Sequence, residues 1–156
     1  MNELYIISGG HKEAWNLVFE KLNKREQDVL KNEFSKPYFE NSAHFNISHS
    51  KGIAVVCFCE EPVGVDVEKI RDVNLKIKDR FFGDTEKEQV KTNSDFTKVW
   101  TAKESYIKYL GTGLSTPLNS FDVNNLDVNF LHFDYNDYHT CVCTKNVIKF
   151  KIQGTK

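Results

Sequence analysis

The sequence predicts an α+β fold, built as one compact domain or two small lobes sharing a core. Three observations point there. The chain has 156 residues, which suits a unit of that size. Its hydrophobic content of 40 %, with 12 Phe and 6 Tyr, is enough to fill a core, which argues against disorder. Helical spacing and strand alternation occupy separate stretches, and no tandem repeat or flexible linker lies between them.

The elements run in order. Leu4 to Ile7 is an apolar run that reads as a strand, closed by Ser8-Gly9-Gly10. Ala14, Trp15, Val18, Phe19 and Leu22 recur at helical spacing. Asn23 is placed to cap a second helix with Val29, Leu30 and Phe34 as its buried stripe, ended by Pro37. Phe45 to Ser50 is a polar-studded strand or loop. Ile53 to Cys59 and Val63 to Glu68 are strands on either side of a Glu60-Glu61-Pro62 turn, and their spacing predicts a hairpin. Asn74 and Thr85 read as caps of two short helices around Phe81-Phe82. Ser94 or Asp95 opens the clearest helix, which stops before Gly111. Thr112 to Pro117 is a loop, and strands follow at 121–123, 128–133, 138–144 and 147–152.

Formal net charge is −1, from 21 basic and 22 acidic side chains. That balance lacks the strongly basic field of a nucleic-acid binder, so any anionic ligand must be held by a local cluster of Lys. No apolar stretch approaches the ~20 residues of a membrane-spanning helix. Met1-Asn2-Glu3 lacks the basic start of an export signal, and a cytoplasmic location is expected. The pairs Cys57/Cys59 and Cys141/Cys143 lie in Val-, Ile- and Phe-rich runs. They read as small apolar residues on one strand face, not as a zinc site or disulfides.

Three places carry chemistry. Strand alternation puts Asp66 and Glu68 on one face of Val63–Glu68. Such a pair suits a divalent cation held by oxygen, or is a solvated polar face. In the helix from Phe96 to Lys108, 100° steps place Phe96, Val99, Trp100, Ile107 and Leu110 in one stripe. Lys103 falls inside that stripe, so it must snorkel out or meet an anion. Glu104 sits at its edge, with Lys108 one turn further on, where the two are either a site or a surface ion pair. Ser48 and His49 are adjacent on a strand and point to opposite faces, which argues against a serine nucleophile activated by this histidine. They suit hydrogen bonds to a phosphate or a base, or a histidine satisfied within the core.

Taken together, Lys36-Pro37-Tyr38, Phe45 to Ser50, Val63 to Glu68, Arg80-Phe81-Phe82 with Glu86, Trp100 to Lys108 and Gly111 to Ser115 with Pro117 and Phe121 resemble the surfactin-synthetase-activating type of 4'-phosphopantetheinyl transferase. The resemblance implies two pseudo-symmetric lobes of antiparallel sheet plus a long helix, at about 1–62 and 63–156, in a monomer. It implies Mg²⁺-dependent transfer of the 4'-phosphopantetheine arm of coenzyme A to a serine of an apo acyl or peptidyl carrier protein, releasing adenosine 3',5'-bisphosphate. Asp66, Glu68 and Glu104 match the metal-holding acids, and Glu104 is the expected base, with Glu68 or a metal-bound water as the alternatives. Lys108 matches a lysine beside the phosphates, Lys103 one near the catalytic glutamate, and Lys36, Ser48 and His49 positions that grip the nucleotide end. Nucleic acid and membrane are not expected partners. Lys76 to Phe82 is the expected carrier dock. Two departures stand out: the segment before Lys36 is short and lacks an Arg-bearing helix, and Lys51 intervenes between Ser50 and Gly52. The rival readings are a coenzyme A-binding protein without transferase activity and a metal-dependent nuclease.

Overall fold

The computed structural model describes residues 2–154. In chain order these form β1 (Glu3–Ser8), α1 (His11–Leu22), the two-residue strands β2 (Leu30–Lys31) and β3 (Pro37–Tyr38), β4 (His44–Ser50), β5 (Ile53–Cys59) and β6 (Val63–Lys69). The short helices α2 (Lys78–Phe81) and α3 (Asp84–Glu88) lead into the long helix α4 (Asn93–Leu110), followed by β7 (Asn129–Tyr135), β8 (Tyr138–Thr144) and β9 (Lys151–Gly154). One sheet has the order β4-β5-β1-β9 and a second β6-β8-β7, with β2 and β3 a separate pair. All neighbours are antiparallel except β9, which returns to lie parallel to β1.

The expected α+β class, with antiparallel sheets and a long helix, is what the chain forms. Its layers run α1, first sheet, second sheet, α4. Leu4, Ile6, Val55, Cys57 and Cys59 of the first sheet meet Val63, Val65, Val67 and Val142 of the second in the central core. The opposite face of the first sheet, with Tyr5, Ala54, Val56 and Phe58, is covered by Ala14 and Val18 of α1. A third cluster, Phe82, Val90, Phe96 and Val99, fixes the start of α4. All four cysteines are free and buried, and burial pushes the Cys57 thiol up, as small apolar core residues should behave.

Several sequence expectations are corrected. β5 and β6 are not a hairpin, because β5 has both edges filled by β4 and β1 while β6 pairs with β8. The apolar sides of β5 and β6 face each other across the core, and the chain crosses between sheets at Glu60–Pro62. The hairpin is β4–β5, and Lys51 and Gly52 have the positive φ (45° and 94°) that a two-residue turn needs. This accounts for the residue between Ser50 and Gly52. No helix spans 24–36. There, Asn32 Oδ1 accepts the Phe34 and Lys36 amides at 2.9 Å, a local alternative to helical bonding, and Leu30 and Phe34 stay exposed. The expected strand at 121–123 is replaced by tight turns at Leu118–Ser120 and Val123–Asn125, and the last strand begins only at Lys151. Helix α3 starts after Gly83, whose amide donates to Glu86 at 2.7 Å, so Thr85 is not its cap. Leu110 lies 40 % exposed, outside the buried stripe.

Two features hold α4 and β6 in place. Helix α4 is capped by Thr92, whose Oγ1 accepts the Asp95 amide while the Asp95 carboxylate accepts that of Thr92, both at 3.1 Å, and it ends at left-handed Gly111. The other is a seam between sheets. Along the edge of β6 not paired with β8, the amides of Val65, Val67 and Lys69 donate to Asn46 Oδ1 (2.8 Å), Ser48 Oγ (3.0 Å) and Ser50 Oγ (3.2 Å). Alternating side chains of β4 thus stand in for a neighbouring strand.

Helix α4 approaches β6 most closely at Gly64, where a Cβ would lie 2.0 Å from the Ser105 carbonyl oxygen and 2.3 Å from the Tyr109 amide nitrogen. Gly64→Ala must push α4 off the sheet. We expect a loss of more than about 3 kcal/mol, measured as a fall in the urea midpoint, and a near-neutral variant would contradict this packing.

Candidate functional site

Strand β6 and helix α4 bring Asp66, Glu68, Glu104 and Lys108 together. Asp66 and Glu68 sit on the face of the second sheet turned toward α4, as Gly64 does. Lys108 reaches across from α4, and its Nζ is 3.1 Å from Asp66 Oδ1. Ser48 Oγ donates to the same oxygen at 3.2 Å. Asp66 is 5 % exposed, and its Oδ2 is buried without a partner.

Electrostatics make the group unsettled. Burial raises the Asp66 carboxyl above the ordinary carboxylate range, opposed by Lys108 and Ser48. Burial, then the Asp66 carboxylate, raises Glu104. Burial, with repulsion from Asp66 and Glu104, pushes Glu68 up to about 7 against the pull of Lys108. One lysine faces three carboxylates, so further positive charge would stabilise them all. An orphaned oxygen and a set of oxygen donors suit a hard divalent cation such as Mg²⁺. Among the described residues no three His, Cys, Asp or Glu side chains are already gathered to hold an ion, so an ion here would need oxygen ligands from water or a phosphate as well.

Beside this group opens a cleft of about 300 Å³, lined by His11 and Trp15 of α1, Phe45, Ser48 and His49 of β4, and Asp66 and Lys108. His49 is exposed at its mouth, with the His11 ring 6.1 Å away and nearly perpendicular. The cleft therefore has an apolar and aromatic wall at one end and charged groups at the other.

Three predicted site residues are bonded to other groups of the protein. Ser48 is buried in the seam, where its hydroxyl serves the Val67 amide and Asp66. Lys36 Nζ donates to the carbonyls of Lys108 and Val63, at 2.6 and 3.1 Å. Lys103 points away from the cleft. It is fully buried, with its ammonium 2.7 and 2.9 Å from the two Glu86 oxygens and 2.6 Å from the Phe121 carbonyl. The lysine in the apolar stripe has met an anion. Glu86 also accepts the Gly83 and Val123 amides, so the pair ties α3, α4 and the 118–125 turns together. A fully satisfied pair of this kind is strongly destabilising to break from one side.

The residues that sequence reasoning missed are His11 and Trp15, which reach the cleft only through the packing of α1 on the first sheet. Glu86 carried a local signal, since it stands four residues from apolar Phe82 and four from apolar Val90, on the face those two share at helical spacing.

The folded protein holds the Glu68 proton to a higher pH than the unfolded chain, where glutamate titrates near 4.5. Its contribution to stability therefore falls as pH rises through that window, from about 4.5 to about 7. For Glu68→Gln we expect the gain in urea midpoint over the unsubstituted protein to grow between about pH 5 and about pH 8; an offset independent of pH would contradict the crowding of these carboxylates.

A family model described as the 4'-phosphopantetheinyl transferase superfamily matches residues 62–149, more than half the chain. The "4'-phosphopantetheinyl transferase gsp" of Aneurinibacillus migulanus is 40 % identical over 112 residues, 67 % of this chain and 47 % of that protein. The "4'-phosphopantetheinyl transferase Sfp" of Bacillus subtilis (strain 168) is 39 % identical over 111 residues, 66 % of this chain and 50 % of that protein. The human "L-aminoadipate-semialdehyde dehydrogenase-phosphopantetheinyl transferase" is 31 % identical over 133 residues, 73 % of this chain and 42 % of that protein. The chain spans about half the length of the curated relatives it matches. These similarities bear out the resemblance drawn from the ordered motifs. Among the described residues no helix is long and apolar enough to cross a membrane.

Proposed function

The chain belongs to the 4'-phosphopantetheinyl transferase superfamily, and on that premise we propose that it moves the 4'-phosphopantetheine arm of coenzyme A onto a serine of an apo acyl or peptidyl carrier protein. One observation carries the reading: three half-buried or buried carboxylates that burial draws above the ordinary carboxylate range, one with an orphaned oxygen, face a single lysine beside a cleft with an aromatic wall.

In this reading Asp66, Glu68 and Glu104 would hold Mg²⁺, which would supply positive charge beside the coenzyme A pyrophosphate. Lys108, steadied by Asp66 at 3.1 Å, meets the charge that grows on the departing adenosine 3',5'-bisphosphate. Glu104 takes the proton from the carrier serine as its oxygen attacks the phosphorus bearing the pantetheine arm. Burial and the neighbouring Asp66 raise the proton affinity of Glu104, which favours that role over one as a spectator acid. His11, Trp15 and His49 form the wall against which the nucleotide end lies. Positioning and charge neutralisation do most of the catalysis in such a transfer. The protein acts as a cytoplasmic monomer in the same reading, and the carrier docks near Lys76 to Phe82, where Ile77 is 39 % exposed.

The test is to incubate the protein with coenzyme A, Mg²⁺ and a panel of apo carrier proteins, then weigh the carriers. We expect one phosphopantetheine added at the acceptor serine, prevented by EDTA. Glu104→Gln should lower transfer by about 10²-fold or more with cooperative unfolding retained. No mass gain on any carrier overturns the reading, and a well-folded, fully active Glu104→Gln protein removes Glu104 from the role of base.

A further inference from the structure

The last turn of α4 carries Lys108; the Ile107 carbonyl accepts the Gly111 amide at 2.9 Å, and the carbonyls beyond it have no partner within the helix. One distant segment satisfies two carbonyls at this helix end. Lys36 Nζ donates to the Lys108 carbonyl at 2.6 Å, and Asn32 Nδ2 donates to the Gly111 carbonyl at 2.9 Å. The same Lys36 ammonium donates at 3.1 Å to the carbonyl of Val63, the first residue of β6. Asn32 shapes the loop that presents it, since its Oδ1 accepts the Phe34 and Lys36 amides and its own amide donates to the Lys36 carbonyl at 3.0 Å.

The approach is close. A Cβ on Gly111 would lie 2.9 Å from both Asn32 Nδ2 and Lys36 Cδ, so the left-handed glycine that ends α4 also makes room for the brace. A cation at this end of a helix is favoured by the partial negative charge of its carbonyls. Lys36 makes no ion pair among the described residues, and burial draws its pKa down to about 8. Turning it toward a ligand would strand two carbonyls that it now satisfies.

We propose that Lys36 is a positioning residue and not a substrate ligand: by bonding Val63 and Lys108 at once, it fixes the last turn of α4 against β6 and thereby holds Lys108 over Asp66. The inference rests on the transferase reading, and it departs from the nucleotide-gripping role that the motif resemblance implies for this lysine.

The test compares Lys36→Met, Lys36→Arg and the unsubstituted protein in three measurements. In transfer kinetics, Lys36→Met should lower kcat by about tenfold or more, since small misplacements of catalytic groups are costly, with KM for coenzyme A changed less than about twofold. Lys36→Arg, which keeps a cation and its donors, should recover most of kcat. The preference for coenzyme A over 3'-dephospho-coenzyme A should be the same in all three proteins. In amide exchange, Lys36→Met should speed exchange in the last turn of α4. A raised KM with kcat unchanged, or a lost preference for the 3'-phosphate, overturns the inference and makes Lys36 a ligand. Failure of the transferase reading shows separately, as an unsubstituted protein that modifies no carrier. The exchange measurement then still decides the brace, and unchanged exchange in that turn overturns it.

Discussion

The seam between β4 and β6 is the constraint on which the rest of the molecule depends. A buried strand edge cannot keep its amides unpaired, because each costs about 1–3 kcal/mol. β6 has β8 on one side only. Its other edge would demand a further strand, yet β4 is already the edge of a different sheet. Asn46, Ser48 and Ser50 resolve this by accepting the amides of Val65, Val67 and Lys69, each pair 19 residues apart. The constant offset means that the two strands run parallel and in step. The sheets are thereby joined along a line, with one apolar face each turned to the core between them.

Chemistry is placed by the same geometry. The residues whose amides point to the seam, Val65 and Val67, turn their side chains to the core, so Asp66 and Glu68 turn theirs to α4, the side on which Gly64 leaves room. Gly64 lets the helix come close, and that closeness buries Asp66. Ser48 then serves both sides of the junction, accepting from Val67 and donating to Asp66. Charge is distributed unequally along α4. Lys103 is locked to Glu86 in a closed, fully hydrogen-bonded pair, which secures the helix. Glu104 and Lys108, on the neighbouring face, are left with the carboxylates of β6 in an arrangement that lacks positive charge. One face of the helix is satisfied and the other is poised.

Much of this was legible in the sequence, and what was not has a physical reason. Period and capping located the long helix within two residues of its start, and alternation put Asp66 and Glu68 on one face, since these depend on local geometry. The oddity of Lys103 in an apolar stripe left two outcomes, a side chain that snorkels out or one that meets an anion, and the anion it meets lies 17 residues away in α3. Pairing partners were not legible: 53–59 and 63–68 look like a hairpin until the edges of β5 are seen to be filled by β1 and β4. The stretch 24–36 has helical spacing, but one Asn side chain captures two of its amides, and a competition between local hydrogen bonds of similar strength leaves no trace in periodicity. Lys36 was matched to a ligand position by motif, and Ser48 by motif and by its hydrogen-bonding capacity, whereas their bonds to Lys108 and Val67 link parts of the chain 72 and 19 residues apart.

Amide hydrogen exchange on the unsubstituted protein tests the seam most directly. Gly64, Asp66 and Glu68 alternate with Val65, Val67 and Lys69 and belong to the ladder with β8. If side chains of β4 replace a strand, the amides of Val65 and Val67 exchange as slowly as those of Gly64 and Asp66, and protection along β6 shows no alternation. Protection that alternates, with Val65 and Val67 exchanging as quickly as amides on an open sheet edge, would contradict the seam and with it the placement of Asp66.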